Sequence, residues 1–298
     1  MVALTDMLPG GYWDSGGVLH REFELGDMTG REEELLVRAS GTETSSLVSA
    51  VLSRCVRRLG GISPVTEDVA RHLLIADRQY LLLKLRQSTF GDVVRADLFC
   101  PWAECGRRIS LEFSLADLPV QEATERAPVH TFTLSALASG EDDPVLRAVS
   151  FRLPNGSDQE AVSGLLAENE AEALSRLLAR AIQAIGPRSP ANTDEVAALS
   201  PLAREEIEAE MARVAPKIEL NMETACPECG RSFAVPFDLQ RFFFGELRTD
   251  SELLYRQVHY LAYHYHWAEP EIMAMPRTKR QKYIELLAGE IERLNDGE

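Results

Sequence analysis

Cys100-Pro101-Trp102-Ala103-Glu104-Cys105-Gly106-Arg107 and Cys226-Pro227-Glu228-Cys229-Gly230-Arg231 are two copies of one device, and their pairing decides how the chain is organised. In each copy a proline follows the first cysteine and Gly-Arg follows the second. An alternating apolar stretch then leads to Asp-Leu: Ile109, Leu111 and Phe113 run to Asp117-Leu118, and Phe233, Val235 and Phe237 run to Asp238-Leu239. A turn that presents thiolates to a cation must aim backbone N–H groups at sulfur, and a glycine after the second cysteine can take the left-handed conformation that closes it. Each turn supplies half of a tetrahedral site. Together Cys100, Cys105, Cys226 and Cys229 make a closed zinc centre, with about 2.3 Å from each sulfur to the ion and no position open for catalysis. Local disulfides, free thiols or a site that has lost its metal are the alternatives. A redox Cys-x-x-Cys fits poorly, because that motif opens a helix and here a strand follows. The fifth cysteine, Cys55, lies on an apolar helical face and reads as core.

If the two pairs share one ion, everything from residue 106 to residue 225 loops out and returns. The expected fold class is therefore α+β, with helical N- and C-terminal parts joined by a split four-cysteine zinc ribbon and with an inserted α/β segment. Residues 1–28, punctuated by Pro9, Gly10, Gly11, Gly16 and Gly17, read as an extended arm. Residues 29–92 read as an N-terminal helical region, 93–118 as the first zinc knuckle and hairpin, and 119–216 as the insertion. Residues 217–238 form the second knuckle and hairpin, and 239–298 a C-terminal helical region.

Within these limits, Thr29 and Glu32 have the spacing of a capping box, one helix is expected over 44–59, and a longer one over 67–86 after Thr66. In the insertion, strands are expected at 130–134 and 149–153. Ser157 and Glu160 repeat the capping-box spacing before one helix that passes Leu165, Leu174 and Leu178 to Ile182, and Ser200-Pro201 opens an acidic helix.

The 298 residues are 45% hydrophobic and 26% charged, which suits a globular chain. Forty-seven acidic against 31 basic side chains give a net charge of −16. That field repels a phosphate backbone and favours basic partners, so nucleic acid is an unfavoured ligand. No stretch approaches the roughly 20 apolar residues of a membrane span, and residues 1–10 hold no basic leader, so the expectation is a cytoplasmic protein without membrane insertion. No Walker-type phosphate loop, Gly-x-Ser-x-Gly elbow or His-Glu-x-x-His helix occurs, which argues against an enzyme and against a small-molecule substrate.

Near the C-terminus, Tyr255, His259 and Tyr263 recur every four residues on one helical face with Trp267 beside it, in a run that also holds Tyr260, His264, Tyr265 and His266. Rings with polar tips suit interfaces, although packing within the chain is an equal claim on them. No histidine of the run has another four residues away, so metal ligation is not indicated. Arg277, Lys279, Arg280 and Lys282 form a basic cluster at a helix start, where cations oppose the macrodipole. That local cost suggests an anionic partner, either an acidic face of this protein or a neighbouring subunit, with a merely solvated face as the alternative.

Several local patterns combine into a family likeness. Ala76-Asp77-Arg78-Gln79-Tyr80-Leu81-Leu82-Leu83-Lys84-Leu85-Arg86, ending in Phe90-Gly91-Asp92 ahead of a Cys-Pro knuckle, resembles the baseplate hub assembly proteins of T-even-type phages, as found in phage-like contractile injection systems. Phe151-Arg152-Leu153-Pro154 before the central helix resembles the same family. So does Leu261-Ala262-Tyr263-His264-Tyr265-His266-Trp267, followed by Glu269, Glu271-Ile272, Pro276-Arg277, Arg280 and Tyr283. The resemblance implies a non-enzymatic role in building or forming a contractile-tail baseplate, with other baseplate or tail proteins as partners and incorporation into the injection particle left open. A zinc-ribbon nucleic-acid-binding or regulatory protein, with Arg107, Arg108 and Arg231 flanking the knuckles, is the alternative; a metallohydrolase built on the His-rich helix is a third.

Overall fold

The computed structural model describes residues 4–38, 44–166, 168–188, 193–249 and 251–296. The fold is α+β. The stretch expected to be an extended arm is instead a hairpin, β1 (Leu4–Trp13) and β2 (Leu19–Leu25), and its Leu8, Phe23 and Leu25 are buried in the main core. The glycines misled because their partners are distant. The β1–β2 register shifts between Met7 and Tyr12, and in that irregularity the amides of Gly10 and Gly11 donate to the two oxygens of Asp77 at 2.8 and 2.7 Å. A Cβ on Gly10 would press on Leu74 and Asp77, so the residue is small because the helix is close. Burial pushes the Asp77 carboxyl up to about 6, against the pull of the two amides.

Next come α1 (Gly30–Arg38) and α2 (Thr44–Cys55). At the start of α1, Glu32 accepts from the Thr29 amide and hydroxyl, which is the expected capping contact. The helix expected over 44–59 stops at Cys55, because β3 (Val56–Leu59) pairs with β2 and completes a three-stranded antiparallel sheet. The helix expected over 67–86 is two, α3 (Glu67–His72) and α4 (Ile75–Phe90). Between them Leu73 and Leu74 are extended and bond the insertion: Gly156 N donates to Leu73 O at 3.0 Å and Leu74 bridges Asn155. A tertiary partner has taken the backbone groups that a continuous helix would have used.

The first knuckle joins β4 (Val93–Phe99) to β5 (Arg108–Ser114) in an antiparallel hairpin. Asp92 ties it to α4, accepting from Gln87 Nε2, the Ser114 hydroxyl and the Ala116 amide. The insertion then opens with β6 (Val120–Gln121), β7 (His130–Thr133), α5 (Ala136–Ser139) and β8 (Ala148–Phe151). It continues with α6 (Gly156–Leu166), α7 (Glu170–Ala181), β9 (Ile182–Ile185), α8 (Thr193–Ala197) and α9 (Pro201–Val214). The single helix expected after Ser157 is divided at Asn169, whose side chain caps α7 by accepting from the Glu172 amide. Asn155 and Asp158, not Ser157 and Glu160, exchange the capping bonds of α6. The cap Ser200 and the following Pro201 open α9 as expected. The insertion has its own core, in which Val149, Phe151, Leu178, Ile207 and Val214 are buried.

The chain leaves the insertion where it entered. β10 (Lys217–Ile218) pairs antiparallel with β6, and β11 (Asn221–Ala225) and β12 (Ser232–Pro236) form the second knuckle's hairpin. Among the described residues, α10 (Leu239–Thr249), α11 (Ser251–Tyr265), α12 (Glu269–Met273) and α13 (Arg277–Asn295) follow. Phe243 and Phe244 of α10 enter the main core, whereas Leu254, Val258, Leu261, Ile272 and Met273 make a small separate one. No helix among the described residues is long and apolar enough to cross a membrane.

Candidate metal centre

Each knuckle turn is built by its own backbone. Cys100 N donates to Arg107 O at 2.8 Å, and the amides of Cys105 and Gly106 donate to Trp102 O at 2.9 and 3.0 Å. The second turn repeats this, with Cys226 N donating to Arg231 O at 3.0 Å and Gly230 N to Cys226 O at 2.8 Å. Gly106 and Gly230 both sit at positive φ, 55° and 69°, as the closing position of such a turn requires. The two copies thus share one geometry as well as one sequence pattern.

The β6–β10 stem brings the turns face to face. Cys100 Sγ lies 3.9 Å from Cys229 Sγ, Cys105 Sγ lies 3.9 Å from Cys226 Sγ, and all four sulfurs fall within 4.8 Å of one another. Sulfurs bound tetrahedrally at about 2.3 Å stand roughly 3.8 Å apart, so the cluster fits such an ion with slight contraction. Cys100, Cys226 and Ile109 are buried, with Leu98, Leu111 and Phe233 around them. Across the join, Arg231 donates to Glu104 at 2.8 Å and its guanidinium lies 5.5 Å from the centre of the Trp102 ring.

Burial pushes the Cys100 thiol up to about 12, although the Trp102 amide faces its sulfur. Burial would raise Cys226 too, but the amides of Cys229 and Glu228 point at its sulfur and bring it down to about 7. Four thiolates this close repel one another, and a divalent cation between them is the group that would let every one ionise. Among the described residues this is the one group of three or more His, Cys, Asp or Glu side chains that converges in this way. Four sulfur donors would use all the positions of a tetrahedral ion. Cys55 is buried in the main core, as expected, and burial raises its thiol.

The C-terminal residues divide. Tyr263 is 69% exposed, with His259 stacked on it at 6.3 Å between ring centres. Tyr255 is exposed and donates to Glu34 at 3.1 Å. Trp267 turns inward, stacked on Tyr265 at 4.6 Å and edge-on to Tyr283 at 4.9 Å. Lys279 and Lys282 are exposed, the latter 3.3 Å from Glu285. Arg277 and Arg280, expected on a partner surface, are buried instead. Arg280, 0% exposed, donates to both oxygens of Glu33 at 2.8 and 2.9 Å and to Gln257 at 2.9 Å; Arg277 reaches Glu33 at 3.2 Å and lies 4.8 Å from the centre of the Phe90 ring. The anion that the cluster called for is Glu33 of α1, itself 5% exposed. The signal was available in part, since Glu33 stands in an acidic first turn, but a pairing across 247 residues has no local signature.

Two residues of the Asp77-Arg78 motif also find structural partners. Asp77 holds the N-terminal hairpin, and buried Arg78 donates to Ser49 Oγ at 2.8 Å, Ala70 O at 2.9 Å and Ser45 O at 2.7 Å. Among the arginines flanking the knuckles, Arg108 is paired with Asp97 at 2.6 Å and Arg231 with Glu104, both at the exposed surface.

A family model described as T4 bacteriophage base plate protein matches residues 14–244. A second model, described as a family of unknown function, matches residues 247–298, so the C-terminal run that resembles the baseplate family lies beyond the first match. No curated protein and no solved structure matches the chain significantly.

Proposed function

The chain belongs to the T4 bacteriophage base plate protein family, and from that premise we propose that it is a non-enzymatic structural or assembly protein in the baseplate of a phage-tail-like contractile injection system, stapled by one structural zinc ion. Membership of the family implies association with other tail or baseplate proteins. The observation that carries the zinc reading is the convergence of four sulfurs from turns more than 120 residues apart to within 4.8 Å. Cys100, Cys105, Cys226 and Cys229 would hold the ion, and its chemistry there is that of a closed cross-link rather than a Lewis acid open to substrate. Such a staple fixes the main core, the stem of the insertion and α10 at one junction.

The residues left for partner recognition are Tyr255, His259, Tyr263, Lys279 and Lys282, all exposed on one C-terminal unit. Alanine at Tyr263, Lys279 and Lys282 should leave the thermal midpoint within experimental error and weaken capture of a baseplate partner from a particle-producing cell. Unchanged capture would remove these residues from the interface. The nucleic-acid alternative predicts a salt-sensitive complex in a low-salt gel shift; the baseplate reading predicts none.

A further inference from the structure

The buried core changes hands at one point in the C-terminal part of the chain. Phe244 of α10 is the last residue of the main core, and Leu254 of α11 is the first of a small core made entirely by residues 254–284. The two family matches divide at the same place, one ending at residue 244 and the other starting at residue 247. Packing and sequence similarity thus draw the same boundary independently. None of the four buried apolar clusters among the described residues spans it, and the contacts that join the two sides centre on charge. Three consecutive glutamates of α1 have separate tasks. Glu32 caps α1 itself, Glu33 accepts from Arg277 and Arg280, and Glu34 accepts from the Tyr255 hydroxyl. Beside them Thr29 bridges Pro276, and a Cβ on Gly30 would meet Met273 and Arg280 at 3.0 and 3.1 Å, so the small residue lets the two bodies close. A polar joint of this kind is the pattern of an interface between separate bodies rather than of a continuous core.

We infer that residues 247–298 are a docking module, and that the Glu33 face of α1 is a receptor for this module: it holds the chain's own copy and takes the same module from another chain. The structure itself shows the occupant. Recognition rests on two guanidinium groups, three residues apart at a helix start, closing on one carboxylate that is 5% exposed. A helix with neutral side chains at those positions would bury the carboxylate without a cation, a cost that excludes unrelated helices. Linkage in one chain raises the effective concentration of the module to roughly the millimolar range, so the chain's own copy has the advantage until the link is cut.

The test uses the full chain with a protease site placed between Thr249 and Ser251 and cut after folding. Two preparations, one isotope-labelled, are cut, mixed at micromolar concentration and weighed by native mass spectrometry. The pieces should stay together after cutting, and mixing should give hybrids in their statistical share. Glu33→Gln, which leaves the module's own sequence untouched, should weaken the cut complex at least about 100-fold, or about 2.7 kcal/mol, with the unfolding midpoint of the main core unchanged. Lys279→Ala, exposed between the two arginines, should bind as tightly as wild type. Pieces that never exchange, pieces that part and do not rejoin when concentrated, or a Glu33→Gln complex as tight as wild type would overturn the inference.

Discussion

Replacing Glu33 by glutamine should release the C-terminal helices while leaving the rest of the fold in place. Glutamine keeps the size of the side chain and removes its charge, so the guanidinium of Arg280, at 0% exposure, would be left with Gln257 and the Met275 carbonyl as neutral acceptors. Both members of the pair are buried, so solvent screening does not discount the loss. Removing one partner of a buried ion pair costs on the order of 3–5 kcal/mol, a large share of a typical domain's margin of about 5–15 kcal/mol. The loss should be local, because Leu254, Leu261 and Ile272 form a core separate from the main one. Hydrogen exchange is the assay. Amides of α11 and α13 should lose roughly two to nearly four orders of magnitude of protection, at 1.4 kcal/mol per factor of ten, and those of α4 and β2 should hold. Replacing Glu33 and Arg280 together by methionine should recover part of the loss, since Arg280 is then no longer a stranded charge although Arg277 still loses its contact with Glu33. A cost below about 1 kcal/mol for Glu33→Gln, or equal loss of protection in α4, would refute the reasoning.

Other perturbations follow from particular contacts. A Cβ on Gly156 would collide with the Arg78 guanidinium, so Gly156→Ala should destabilise by about 1–3 kcal/mol in chemical denaturation, as overpacking does. Asp158 is fully buried; burial alone would raise its carboxyl, but Arg152, the Asn155 amide and Arg180 hold it below the usual value of 3.8. A depressed folded value means that its stabilisation is present above 3.8 and lost as pH falls through that lower value. Asp158→Asn should therefore lower the thermal midpoint at neutral pH and reduce the acid sensitivity of the insertion; an acid profile identical to wild type would count against this ion pair.

The convergence of the four cysteines was legible because its signal is local. Spacing, the proline and glycine positions and the following alternation lie within a dozen residues of each cysteine, and the chemistry of sulfur then implies a joint site. Most of the misread elements share a different cause. Gly10 and Gly11 are strand residues whose amides serve a carboxylate in α4. Val56–Leu59 continues a helical pattern but pairs with β2. Leu73 and Leu74 give their backbone to the insertion, and Arg277 and Arg280 face Glu33 rather than a partner. In each case a contact remote in sequence overrode a sound local preference, and in the last it converted an expected docking surface into an internal latch.

The account rests most directly on the metal content of the purified full chain. Native mass spectrometry together with elemental analysis should find one zinc per chain, lost in Cys100→Ser and Cys226→Ser, and chelation should loosen the junction of stem, main core and α10, since structural zinc contributes on the order of 10 kcal/mol of apparent folding free energy. A chain purified without metal that keeps the same thermal midpoint with and without chelator would contradict it.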